Sequence, residues 1–310
     1  MTRRYDAYLD HAASLRPRAP LWGVPLVTVA AVLGNIAATA GVFMGMAWAI
    51  SAIGGRPSQA VLNDLAGLSS PAALIAFLFS FAGASLGILL ALRLVHRLRP
   101  AALNSAGGRF QWGNLLRAAA LVLGVGVAAT LLALPFQDLA RNAGWGLWLA
   151  WLAPALVGIL VQVHAEELFF RGYLQAMLAA RFRHPLVWMG IPTLAFSAIH
   201  LPNAAAFGEN AWLALLAPLL VGLAAADVTA RTGGIGGAVG LHFGNNALGI
   251  LLVGVPGPFG QIALWQHPLD LADAASVRPM ILLNLAVILL AYGIYRLLEA
   301  RLHRPRHGIK

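Results

Sequence analysis

Residues 26–53 form an unbroken run without one charged side chain. At about 1.5 Å per residue, a helix of that length exceeds the ~30 Å hydrocarbon core of a bilayer. Lipid offers no hydrogen bonds, so each backbone N–H and C=O in such a run must be satisfied within the segment, and the segment folds as a helix. Seven further apolar segments follow, at 72–92, 118–136, 145–163, 186–200, 211–226, 235–255 and 279–295, of which 186–200 and 211–226 are short. The expected fold class is all-α, a polytopic membrane bundle of about eight transmembrane helices.

Charge supports the same class. Only 10% of residues are charged and the mean hydropathy is +0.77, against about 25% charged in soluble domains. The net charge of +10 is carried between the apolar runs, which points to membrane topology and excludes a phosphate-binding, nucleic-acid role. Seventeen of the 21 basic residues fall on one side of the eight-span arrangement. Arg56, Arg141 and Arg278 fall on the other, and Arg171 lies inside the fold. Both termini are therefore expected in the cytoplasm. Trp145, Trp148 and Trp151 fit an outer aromatic belt. The chain has no Cys, which excludes disulfides, thiolate catalysis and Cys-ligated metal. No cleavable signal is evident, and the 20 Arg beside one Lys point to a bacterial cytoplasmic membrane.

Four regions are expected. Residues 1–24 form a cytoplasmic segment, 25–144 the first three membrane helices, and 145–255 a catalytic core of four helices. Residues 256–310 hold an outer loop, the last span and a basic tail. Gly233-Gly234 and Gly236-Gly237 mark a tight turn between spans six and seven, and the spacings Gly41/Gly45 and Gly240/Gly244 would allow close helix approach.

Ionisable groups inside spans are costly, so each is a candidate site residue. Three clusters qualify: His164-Ala-Glu166-Glu167-Leu-Phe-Phe-Arg171, Phe196-Ser-Ala-Ile-His200 and His242-Phe-Gly-Asn245-Asn246. Adjacent residues on a helix diverge by about 100°, so Glu166 and Glu167 cannot aim at one point. Arg171 stands four residues after Glu167 and can hold it ionised. Glu166 is left free to take a proton from water. His242 and Asn246 share a face, and Asn245 points elsewhere. Glu166, His200 and His242 lie about 16–26 Å in helical rise from their arginine anchors, so three helices can bring them to one level. The set suits general-base hydrolysis of an amide, with His and Asn groups binding water or a developing oxyanion. Glu166, His200 and His242 could instead hold a divalent metal such as Zn²⁺, although His-Glu-x-x-His spacing is missing. His164, Phe170 and Phe196 are read as packing, Glu209 as an outer-loop residue, and Asp227 with Arg231 as a helix-end pair.

Glu-Glu-x-x-x-Arg, Phe-x-x-x-His and His-x-x-x-Asn, in that order on successive spans, resemble the CPBP (Abi) family of intramembrane endopeptidases. That family includes CAAX prenyl endopeptidases and bacterial relatives linked to bacteriocin self-immunity. The likeness covers about 145–255, roughly a third of the chain. It implies a hydrolase with Glu166 as base, Glu167 paired with Arg171, and His200, His242 and Asn246 at the water or oxyanion. It also implies a conical cavity open to the cytoplasm and a membrane protein or peptide substrate. A glutamate mechanism needs no cofactor, and zinc stays open. A proton- or cation-coupled transporter using the acidic pair, and a catalytically silent immunity or scaffold protein, are the other classes compatible with these residues. Serine- and aspartyl-type intramembrane protease motifs are absent.

Overall fold

A computed structural model describes residues 5–18, 20–55, 57–136, 138–271 and 273–302 as a helical bundle. Arg3, Arg4, Arg56, Arg304, Arg306 and Lys310, all used to orient the chain, lie outside the described residues.

The elements in order are α1 (Asp6–Leu15), α2 (Gly23–Gly54), α3 (Ser58–Ala66), α4 (Pro71–His96), α5 (Trp112–Phe136), α6 (Trp145–Ala179), α7 (Leu186–Ala198), α8 (Gly208–Thr232), α9 (Gly236–Ala247) and α10 (Ala274–Leu302). Among the described residues, α2, α4, α5, α6, α8 and α10 are long and apolar enough to cross a membrane. The chain is an integral, multi-pass membrane protein. The other two apolar segments are shorter than a span. α7 is short, and α9 with its π turn Leu248–Leu252 stops where Val253 becomes extended. The last helix begins at Ala274, ahead of the expected start. Asp273 caps it, its carboxylate accepting from the Ala275 amide (3.1 Å) and the Ser276 hydroxyl (2.5 Å). The Ser276 bond, then the backbone amides, hold the Asp273 carboxyl below the usual carboxylate range.

Lipid supplies no hydrophobic drive between helices, so close packing of small residues holds the bundle. A Cβ on Gly34 would lie 2.3 Å from the Gly83 carbonyl oxygen, and one on Gly87 would lie 2.1 Å from that of Ala30. Hence α2 and α4 meet backbone to backbone. Gly240 does the same against the Leu115 carbonyl of α5, and Gly244 makes room for the Val122 side chain. Gly41 and Gly45 face open space and mediate no contact. Large apolar side chains such as Leu33, Ile36, Leu131, Leu132 and Leu289 stay exposed, forming the lipid-facing surface.

Contacts define two ends. At one, Ala106 N–H donates to the Gly233 carbonyl, Gln111 to that of Thr232, and His96 meets the Tyr173 hydroxyl at 2.8 Å. Gly233 there turns the chain in the left-handed region, φ +68°. Arg97, Arg99, Arg109, Arg181 and Arg231 belong to this end. At the other end, three two-residue strands, β1 (Ala140–Arg141), β2 (Val253–Gly254) and β3 (Trp265–Gln266), form a sheet in the order β1-β3-β2. The expected outer loop thus carries structure of its own. Trp145 is exposed, with the Arg141 guanidinium 4.5 Å above its ring. The other two tryptophans, on the first turns of the same helix, are half-buried. Trp148 Nε1 donates to the Leu251 carbonyl at 2.7 Å, and Trp151 packs against the core.

The N-terminal segment is more than a solvated tail. α1 buries Tyr8, Ala12 and Leu15, and Tyr8 packs on the buried Trp188. Asp227 is likewise more than a helix-end pair. Its carboxylate accepts from Tyr5 (2.5 Å), Arg231 (2.6 Å), Tyr292 (2.7 Å) and Arg296 (3.0 Å), tying the entry to α1, the end of α8 and the end of α10 together. Burial, then the Asp227 bond, raises the Tyr5 hydroxyl above its ordinary value. Asp227→Ala strands two arginines and two hydroxyls, and should cost about 1–3 kcal/mol. The expected result is a lower melting temperature and faster proteolysis between α1 and α2.

Candidate active site

The first motif sits where α6 changes its winding. The α-helical register ends at Glu167, and Leu168–Gln175 continues with π-type i→i+5 bonds. Such insertions are frequent at functional sites because they re-aim side chains within a continuous helix. Glu167 and Arg171 are both 0% exposed, and Arg171 donates from one terminal nitrogen to Glu167 Oε1 at 3.0 Å. The pairing expected from their spacing is present.

His242, from α9, joins the same carboxylate. Its Nδ1 lies 2.8 Å from Glu167 Oε1. A carboxylate accepts, so Nδ1 carries the proton and Nε2 is left to face Glu166 Oε2, 3.7 Å away. The result is a buried chain from Arg171 through Glu167 and His242 to Glu166. Glu166 is therefore not without neighbours, as its place on the helix suggested. Its Oε2 nevertheless has no hydrogen-bond partner among the described residues.

His200 ends its helix with Nδ1 2.8 Å from the Phe196 carbonyl, which can only accept. Its Nε2 is again the free ring nitrogen. Asn246 donates from Nδ2 to Gln162 Oε1 at 3.1 Å and receives Asn245 Nδ2 at 3.3 Å. Gln162 stands one turn before Glu166 on α6. It was missed in the sequence, where a neutral amide in a span draws less notice than a charge. Its signal was the four-residue spacing to Glu166, which puts the two on one face. Asn245 does not point away: both asparagines line the same cavity.

Phe196 does more than pack. Its ring lies 4.5 Å from the Arg171 guanidinium carbon, 5.3 Å from the His242 ring and 4.8 Å from the His200 ring. A cation over an aromatic face is favourable, so the second motif stabilises the arginine of the first. Gly222 of α8 makes room for this stack. A Cβ there would lie 3.0 Å from an Arg171 nitrogen and 3.2 Å from both Phe196 and Thr193. Gly222→Ala should cost about 1–3 kcal/mol by overpacking. Lowered thermal stability in detergent checks this. His164 stays apart from the group, its ring 5.8 Å from that of Phe110.

A cavity of about 710 Å³ opens in front of this chain, with mostly apolar walls. Glu166, His200, Asn245, Asn246 and Gln162 line it, whereas Glu167, Arg171 and His242 stand behind. The structure thus splits the candidate residues into a wetted front and a buried back. The cavity extends from Phe207, Val253, Phe259 and His267 at the sheet end, past Glu166, to Leu241, Ala291 and Tyr292. Burial alone holds the His267 ring below its usual pKa. As for metal, no group of three or more His, Asp or Glu side chains among the described residues is placed to hold an ion. His242 Nδ1 in particular is committed to Glu167.

The family model described as type II CAAX prenyl endopeptidase Rce1-like matches residues 143–248. Over these residues, about a third of its length, the chain is similar to that family. The match contains all three motifs and the π segment, and leaves out α1 to α5 and α10. A relative, the uncharacterized protein YyaK of Bacillus subtilis, is 34% identical over 105 residues, which is 34% of each chain. The similarity therefore spans about a third of that relative's length. No solved structure matches the chain.

Proposed function

We propose that the protein is an intramembrane endopeptidase in which Glu166 activates water against a peptide bond of a membrane protein or membrane-bound peptide. The observation that carries this is the position of Glu166. It is a carboxylate 9% exposed, at the wall of a roomy cavity, whose buried Oε2 faces His242 without a hydrogen bond among the described residues, and a second, separately paired glutamate stands behind it.

In this reaction Glu166 accepts a proton from water as the oxygen adds to the scissile carbonyl carbon. The second N–H of Asn246 Nδ2, held by Gln162, donates to the oxyanion that forms. His200 accepts from the attacking water through Nε2. On collapse, Glu166 returns the proton to the amine nitrogen, leaving a carboxylic acid and a free amine. Arg171 and Glu167 hold His242 in one tautomer, and His242 Nε2 limits where Glu166 can swing. No step is routed through a metal: among the described residues no three His, Asp or Glu side chains come together to hold one.

The test uses purified full-length protein in detergent and a library of membrane-anchored peptides, with new termini read by mass spectrometry. Cleavage is expected, unchanged by a divalent-metal chelator and lost in Glu166→Gln. Cleavage that disappears with chelator and returns with Zn²⁺ would replace the glutamate mechanism by a metal one. The same products from Glu166→Gln would remove Glu166 from its role. The proposed location is the bacterial cytoplasmic membrane.

A further inference from the structure

We infer that Asn284 binds the substrate backbone beside the scissile bond, its carboxamide pairing with one peptide unit, so that the site requires a free N–H at a fixed place in the substrate. This rests on the peptidase activity proposed above. It adds a residue that lies outside the matched segment 143–248.

The chemistry described for the site uses Gln162, Glu166, His200 and Asn246. Other polar side chains on the cavity wall are left over. Asn203 and His267 belong to segments connecting the long helices. Asn284 stands within one. Between Arg278 and Tyr292 it is the one polar side chain of α10, a helix of spanning length. A polar group there is costly and marks a site by default. Asn284 is exposed and lines the cavity, and its carboxamide has no hydrogen-bond partner among the described residues.

The helix is fixed on both sides of Asn284. Ile281 and Leu285 pack with Leu213 of α8, and Ala291 packs with Ala118 and Val122 of α5. Asn284, Val287 and Ala291 follow one another at three- and four-residue intervals, and all three line the cavity. The anchored helix therefore turns the carboxamide toward the cavity.

A polypeptide in the cavity brings an N–H and a C=O with nearly every residue. Each costs free energy if it gives up water without gaining a partner. The α10 wall otherwise offers aliphatic side chains such as Leu283, Val287 and Ile288, and the Tyr292 hydroxyl already donates to Asp227. A carboxamide carries an acceptor and donors in one plane. Its Oδ1 accepts from a substrate N–H, and its Nδ2 donates to a substrate C=O. A few such groups on an apolar wall are what fix the orientation of a ligand.

The test takes the membrane-anchored peptide library already described and the peptide from it that wild type cleaves best. Backbone N–H groups outside the scissile bond are replaced one at a time by ester oxygen, which removes a donor and keeps the shape of the chain. In wild type, one replacement should lower kcat/KM about tenfold, mainly through KM. In Asn284→Leu the same replacement should cost less than twofold, while the all-amide peptide should itself lose about tenfold. Asn284→Gln keeps the carboxamide and should retain at least a threefold ester effect. The melting temperature of Asn284→Leu should match wild type, because no contact of the carboxamide within the protein is lost. An ester effect of equal size in wild type and Asn284→Leu, or none at any position in wild type, would overturn the inference.

A second arm needs no turnover. The library is bound to Glu166→Gln protein, and the ester form of the best-retained peptide should bind about tenfold more weakly, a difference that adding Asn284→Leu removes. Retention that depends on Asn284 without any cleavage by wild type would sink the peptidase reading alone. Cleavage indifferent to Asn284 would sink this inference alone. Neither cleavage nor retention of any peptide would sink both.

Discussion

Glu166→Gln should lower peptide cleavage by about a thousandfold, the middle of the range for a general base. The substitution keeps shape and removes only the ability to hold water's proton. Structure should survive it, because no described side chain hydrogen-bonds to Glu166 Oε2, and His242 approaches no closer than 3.7 Å. The loss should therefore fall on kcat, with KM and melting temperature close to wild type. A variant that cleaves at the normal rate would eliminate Glu166 as base. One that melts much lower would move Glu166 from chemistry to scaffold.

The opposite signature is expected one residue later. Glu167→Gln leaves Arg171 as an unpaired charge in a fully buried place, and Arg171→Met leaves Glu167 there with only the His242 N–H. Breaking such a pair costs about 3–5 kcal/mol. Both variants should melt well below wild type and lose activity together with stability. Removing both charges, in Glu167→Gln with Arg171→Met, should restore part of the stability but not the activity, since His242 would still lack its charged acceptor. Unchanged melting temperatures for the two single variants would count against the pairing. Thus neighbouring glutamates are predicted to fail in different ways, Glu166 in rate and Glu167 in folding.

Much of the bundle was legible because lipid imposes a strict rule. Uncharged runs must be helices, and all eight apolar runs are helical, six of them at spanning length. The Glu167–Arg171 pair was legible for a similar reason: it lies within one helix, where spacing sets neighbours. Contacts between helices were not legible. Asp227 looked like a local pair with Arg231, yet it also gathers Tyr5, Tyr292 and Arg296 from over 60 residues away. Phe196 looked like packing, yet its ring supports the Arg171 guanidinium from another helix. Of the two glycine spacings, only Gly240/Gly244 meets a partner, because small residues permit contact without specifying which helix supplies it.

The sequence by itself determined that this chain is a membrane helical bundle, that charge is unevenly shared between its two ends, and that Glu167 pairs with Arg171. These follow from backbone hydrogen bonding, from topology rules and from helical periodicity, all properties of local segments. Only the tertiary structure decided that His242 stands behind Glu166 and not beside it, that Gln162 holds Asn246, and which side chains line the cavity in front of Glu166. Those depend on how helices from distant parts of the chain rotate and tilt against one another, and helical periodicity carries no information about either.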